Sequence, residues 1–178
     1  MQYYQVYYGI ILHRKNTFSI KEIDLSIIFP CYNEANNIEL LISSIESALE
    51  KGCNTEIIIV DNGSTDSTPQ ALRKALQGKS TERFKTLRNK KNIGYGHGIM
   101  QGVRAAKGEV IAWTHADLQT DPADVLEAFK FFVNHPGYPG CILKGRRVGR
   151  NPLDTLFTSG MSALSTLLLK VKLSDVNA

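Results

Sequence analysis

Leu25-Ser26-Ile27-Ile28-Phe29-Pro30-Cys31-Tyr32-Asn33-Glu34 begins as an apolar run without polar alternation and closes on a polar cluster. A strand buried on both faces reads this way, and Pro30 ends it. Ile38, Leu41, Ile42, Ile45 and Leu49 then share one helical face, with Asn36 as the N-cap, Glu39 three residues on and Gly52 past the end. The pattern repeats downstream. Glu56-Ile57-Ile58-Ile59-Val60 runs into Asp61-Asn62-Gly63-Ser64, and a helix starts near Thr68 with Pro69 at its first position and Gly78 beyond it. Phe84 to Arg88 reads as a weaker strand, followed by a glycine-rich helix from about Tyr95 to Lys107 that Gly108 closes. Val110-Ile111-Ala112-Trp113-Thr114 is continuous enough for a central strand. Strands alternating with helices predict an α/β fold around a mostly parallel sheet.

Toward the C-terminus, Asp121-Pro122 opens a helix that turns Val125, Phe129 and Phe132 inward and stops at Pro136. A short strand at Cys141-Ile142-Leu143 leads to a basic loop. Leu153, Leu156, Phe157, Gly160, Leu164, Leu167, Leu168 and Val171 draw one apolar helical stripe opposite a face of Ser and Thr. That last helix suits either a core position or a membrane interface. Residues 1–24 read as an N-terminal extension, their apolar runs too interrupted for a signal peptide. No stretch reaches the roughly 20 apolar residues of a spanning helix.

With 178 residues, 43% of them hydrophobic, the chain has material for one domain with a real core. Its net charge of +4, densest at Lys144, Arg146, Arg147 and Arg150, favours an anionic partner. Cys31, Cys53 and Cys141 are odd in number and widely spaced, which argues against a disulfide framework or a zinc site and fits a reducing compartment.

In parallel sheets ligands bind beyond the C-terminal strand ends. Three such ends are rich in carboxylates and hydroxyls: Pro30 to Glu34, Asp61 to Asp66, and His115-Ala116-Asp117-Leu118-Gln119. Each has a bland alternative. Asp61 caps a turn with Gly63 and Ser64, Glu34 serves the next helix, and Tyr32 packs. Gly94, Gly98 and Gly102, spaced by four, share a helical face and let it approach the sheet closely. A P-loop is excluded, since no Gly-Lys-Ser/Thr step is present.

Taken in order, Ile-Ile-Phe-Pro-Cys-Tyr-Asn-Glu, Ile-Ile-Val-Asp-Asn-Gly-Ser-Thr-Asp-Ser-Thr, Asn92-Ile93-Gly94 with Gly98 and Gly102, and Ala-Asp-Leu-Gln resemble family-2 glycosyltransferases. The Ala-Asp-Leu-Gln element, Gly145-Arg146 and Ser174-Asp175-Val176 resemble most the dolichol-phosphate-mannose synthase type among the polyprenyl-phosphate transferases. The resemblance implies a GT-A, Rossmann-like domain over residues 25–178, incomplete on its acceptor side, with an exposed apolar face on its last helix. It implies an inverting transferase that moves a hexose from a GDP- or UDP-sugar to a polyprenyl phosphate at the cytoplasmic membrane face, with no nucleic-acid partner. Pro30, Tyr32, Glu34, Asp61, Gly94, Ala116 and Asp117 would bind the nucleotide sugar. Asp117, Gln119 and His115 would hold Mg²⁺ or Mn²⁺, and Asp117 and Arg146 would serve catalysis.

This sequence departs from that pattern at several points. His115 stands where the family has its first metal-site carboxylate, supplying a nitrogen that suits Mn²⁺ better than Mg²⁺. Asn62 replaces the second Asp of Asp-Asp-Gly-Ser. An expected acceptor-side arginine is Asp154 or Thr155. Two rival readings follow, a transferase acting on a saccharide hydroxyl and a non-catalytic nucleotide-binding remnant.

Overall fold

The computed structural model describes residues 8–11, 23–49, 53–134 and 143–144, together with helical residues at 159–161, 163–164 and 166–168. Six strands form one sheet: β1 (Tyr8–Ile11), β2 (Leu25–Cys31), β3 (Thr55–Asp61), β4 (Phe84–Arg88), β5 (Val110–Thr114) and β6 (Leu143–Lys144). Their order is β4-β3-β2-β5-β1-β6. The four strands from β2 to β5 pair in parallel, while β1 lies antiparallel to both β5 and β6. Residues 8–11, inside the stretch read as an extension, thus extend the sheet past its parallel part.

Period-two alternation in β2 and β3 divides the core between two faces. Leu25, Ile27, Phe29, Ile57 and Ile59 meet helices α1 (Ile38–Leu49), α2 (Thr68–Ala75) and α4 (Pro122–Val133). Ile28, Ile58 and Val60 face the other way, where Val103, Ala105 and Ala106 from the end of α3 (Tyr95–Ala105) cover them. Full burial of one such Ile or Phe contributes about 1.5–3 kcal/mol, which is why the continuous apolar runs become central strands. Helix α1 starts at Ile38, so its N-cap position falls on Asn37 rather than Asn36. The cause is Glu34, whose carbonyl accepts from the Asn37 and Ile38 amides and whose carboxylate takes Asn37 Nδ2 at 2.6 Å.

The evenly spaced glycines of α3 divide in role. A Cβ on Gly102 would lie 2.4 Å from Ile28 Cγ2, and one on Gly98 would only touch Asn62 and Pro30 at 3.4 Å. Gly94 has open space around it but a φ of +118°, so it is needed to turn the chain into the helix.

At the end of the sheet away from those loops, Glu56 is fully buried. Its carboxylate accepts from Ser26 Oγ at 2.6 Å and from the Lys107 amide, and it pairs with Lys85 Nζ. Ser26 Oγ accepts in turn from the Gly108 amide at 2.7 Å. Burial pushes the Glu56 carboxyl upward, but the bonds from Lys85, Ser26 and Lys107 outweigh it and hold the group below its ordinary 4.5.

Among the described residues no helix is long and apolar enough to cross a membrane. In the last helical stretch Leu167 and Leu168 are 75% and 72% exposed. Leu153, Leu156, Phe157 and Val171 of that stripe, the acceptor-side Asp154 and Thr155, and the basic loop with Arg146, Arg147 and Arg150 lie outside the described residues.

Candidate active site at the parallel strand ends

Strands β2, β3 and β5 end side by side, with Cys31 opposite Asp61 in register. Beyond them an open cavity of ≈180 Å³ is lined by Pro30, Cys31, Tyr32, Glu34, Asn62, Asn92, Tyr95, His115, Ala116 and Asp117. Six of the residues expected from sequence therefore share one wall: Pro30, Tyr32, Glu34, His115, Ala116 and Asp117. Tyr32 is 41% exposed there, a large aromatic left uncovered at the mouth.

The first two loops are clamped together. Asn33, at φ +58°, accepts on Oδ1 from the Thr65 amide at 2.9 Å, while its own amide donates to Ser64 Oγ at 2.9 Å. The Glu34 amide donates to Thr68 Oγ1 at 2.8 Å. Asn tolerates the left-handed conformation better than most residues, so this reciprocal clamp fixes Tyr32 and Glu34 at modest cost.

Asp61, 2% exposed, is not part of the cavity lining and sits in register beside Cys31, which is. Its Oδ1 accepts from the Ser64 amide at 2.8 Å, the turn-capping bond of the bland reading. Its Oδ2 is 3.2 Å from Arg88 Nε but off hydrogen-bond alignment, so this buried oxygen has no hydrogen-bond partner among the described residues. The Arg88 guanidinium supplies its counter-charge, and a buried oxygen without a hydrogen bond calls for an explanation in a ligand or water.

Asn62 is the joint between β3 and α3. Its Nδ2 donates to Gly94 O at 2.9 Å and to Asn92 Oδ1 at 3.2 Å, and its Oδ1 accepts from Asn89 Nδ2 at 2.8 Å. Gly94 is not in the cavity wall; its part is to receive that amide.

On the β5 side, Asp117 Oδ1 accepts from the Gln119 amide at 3.1 Å. Between them Leu118 has φ +61°, a conformation unfavourable for a branched side chain. The chain reverses there, and Gln119 goes to a separate groove of ≈650 Å³ between α1 and α4 with Leu118, Ser43, Ser47 and Lys130. The His115 ring stacks on Tyr95, centroids 5.2 Å apart and planes within 11°. Tyr95 lines the cavity from outside the strand ends read in the sequence, while Cys31, Asn62 and Asn92 lie within the sequence motifs but had been given no binding role. The signal for Tyr95 was its place as first residue of a helix entered through Gly94.

The field of the cavity is negative. Burial, then the charges of Asp61, Glu34 and Asp66, push the Cys31 thiol up to about 12, so it is an inert packing group. Burial and the charge of Asp117 likewise push the Tyr95 hydroxyl up to about 12. No group of three or more His, Cys, Asp or Glu side chains placed to hold a metal occurs among the described residues.

The parallel strands, their loop-borne carboxylates and the aromatic mouth define an α/β protein with a candidate ligand cavity at the C-terminal strand edge. The chain belongs to glycosyl transferase family 2, whose profile matches residues 26–161. It is 38% identical over 109 residues to a dolichol-phosphate mannosyltransferase of Pyrococcus furiosus, covering 60% of this chain and 30% of that protein. With an undecaprenyl-phosphate 4-deoxy-4-formamido-L-arabinose transferase of Pectobacterium atrosepticum it shares 34% identity over 148 residues, 83% of this chain and 43% of the relative. The chain thus spans less than half the length of these relatives. Among solved structures, the mannosyltransferase PcManGT from Pyrobaculum calidifontis in complex with GDP-Man and Mn²⁺ aligns at TM-score 0.50 and 29% identity, over 55% of this chain and 28% of that one. The fold is GT-A.

Proposed function

We propose that this chain is the donor-binding part of an inverting glycosyltransferase that moves a hexose from a GDP- or UDP-sugar to a polyprenyl phosphate at the cytoplasmic face of a membrane. The observation that carries this reading is the cavity in which Pro30, Tyr32, Glu34, His115, Ala116 and Asp117 converge. Tyr32 offers an exposed ring to a base or ribose, and the orphaned Asp61 Oδ2 is an acceptor for a base N–H.

A dianionic diphosphate does not enter a negative cavity without a counter-charge. A divalent cation would supply that neutralisation as the leaving diphosphate gains charge. Asp117 and His115 provide an oxygen and a nitrogen of the kind Mn²⁺ accepts, and phosphate oxygens would complete the set that the protein alone leaves short. The role we give Gln119 in metal binding requires its side chain to turn back from the α1/α4 groove. Arg146 is assigned to a phosphate of donor or acceptor on the sequence pattern alone. A polyprenyl phosphate is already an anion at neutral pH, so the acceptor needs no general base. Catalysis is then positioning and leaving-group stabilisation, and direct displacement inverts the anomeric centre. The relatives named for polyprenyl-phosphate acceptors support this acceptor over a saccharide hydroxyl.

The test is calorimetric titration of the chain with GDP-mannose and a panel of UDP-sugars, with and without Mn²⁺. Affinity should rise with metal, and Asp117→Ala should erase that gain. Nucleotide binding indifferent to metal would instead favour the non-catalytic remnant. Supplied with polyprenyl phosphate, the intact enzyme should form a lipid-linked sugar; transfer only to free saccharides would overturn the acceptor assignment.

A further inference from the structure

Tyr95 and His115 come from different elements, the first turn of α3 and the end of β5, yet their rings form a parallel, offset stack lining the same cavity as Asp117. A parallel stack engages the π faces and leaves the ring nitrogens, which lie in the plane, at the edge. Contact over one face limits the tilt of the imidazole plane, a constraint on ring orientation comparable in effect to the hydrogen bonds that orient metal-binding histidines. His115 and Asp117 are two residues apart at one strand end, separated by the buried Ala116.

Resting on the donor-site reading above, we propose that Tyr95 is a positioning residue that orients His115 as a nitrogen ligand beside Asp117, and that this pair makes the nucleotide-loaded site select Mn²⁺ over Mg²⁺. Mg²⁺ demands oxygen ligands in near-ideal octahedral geometry, whereas a mixed nitrogen and oxygen set favours the transition ion. With no group of three or more His, Cys, Asp or Glu side chains placed to hold a metal among the described residues, the ion is held jointly with the nucleotide.

The experiment follows Mn²⁺ by electron paramagnetic resonance on the 178-residue chain with GDP and with UDP, against competing Mg²⁺. Nucleotide binding is measured separately by equilibrium dialysis. Bound Mn²⁺ should show electron spin-echo modulation from a directly coordinated nitrogen, and should bind tighter than Mg²⁺. His115→Asp should abolish the nitrogen signal and shift the preference toward Mg²⁺. Tyr95→Ala should weaken Mn²⁺ by about 10–100-fold, while Tyr95→Phe, which keeps the stack, should leave it unchanged. Nucleotide and Mn²⁺ bound without nitrogen modulation in the unaltered chain would overturn this proposal and leave the donor-site reading standing. A folded Tyr95→Ala with wild-type affinity and signal would overturn the role of Tyr95. Failure of either nucleotide to bind under any condition would overturn both readings.

Discussion

Asn62 shows how much one amide decides. Its nitrogen serves two acceptors, Gly94 O and Asn92 Oδ1, and the latter is already committed to the Gly94 amide. A carboxylate here would keep the bond from Asn89 but face two oxygens with nothing to donate. Asn62→Asp should therefore destabilise the protein by about 1–3 kcal/mol at pH 7. Facing acceptors raises the folded-state pKa of the new acid, so the penalty should shrink on acidification as the protonated form regains a donor. Urea melts at pH 7 and pH 4.5 check both sign and trend. The Asn in place of the family's Asp was visible in sequence; its reason was not, because Gly94 and Asn92 lie some thirty residues away. The same distance hid Tyr95, whose partner is set by packing between elements. Pro30 was legible near the end of a buried strand, and Tyr32, Glu34, Ala116 and Asp117 because they come just after one, since parallel register brings such ends together. Gln119 breaks that logic, since the positive φ of Leu118 cancels the alternation by which it would have joined Asp117.

At the scale of elements, the close approach of α3 to the sheet distinguishes two glycines of one helical face. Gly102→Ala drives a methyl into the branched Ile28 side chain and should cost about 1–3 kcal/mol. In Gly98→Ala, ordinary contact at 3.4 Å and better helix propensity nearly offset one another, leaving a change within about 1 kcal/mol. Thermal melts of the two variants separate packing from propensity. Most elements from β2 to α4 could be read in advance, since apolar period and boundary residues agree. β1 could not: a four-residue strand among interrupted apolar runs becomes one only by pairing with β5 and β6.

For the molecule as a whole, the Glu56 network ties β2, β3, β4 and the entry to β5 at the edge opposite the site. Because the folded-state pKa of Glu56 is lowered, its contribution is present above the ordinary 4.5 and is lost as pH falls through the folded value. Unfolding free energy should therefore decline on acidification below about 4.5. Glu56→Gln should be less stable by about 2–3 kcal/mol at pH 7 and show a flatter acid limb. Denaturant titrations from pH 3 to pH 7 measure this. Wild-type and variant curves that stay parallel would remove Glu56 from the account.

Asn62 is followed by Gly63, the dipeptide most prone to cyclise to a succinimide and lose ammonia. The nitrogen that would depart is the one pinned by two hydrogen bonds, and Gly63 packs so closely that an added Cβ would collide with the Lys91 backbone. Folding therefore shields this bond from deamidation. A chain that spends time unfolded is exposed to spontaneous conversion of Asn62, through the succinimide, to isoaspartate and Asp, either of which removes the amide that joins β3 to α3.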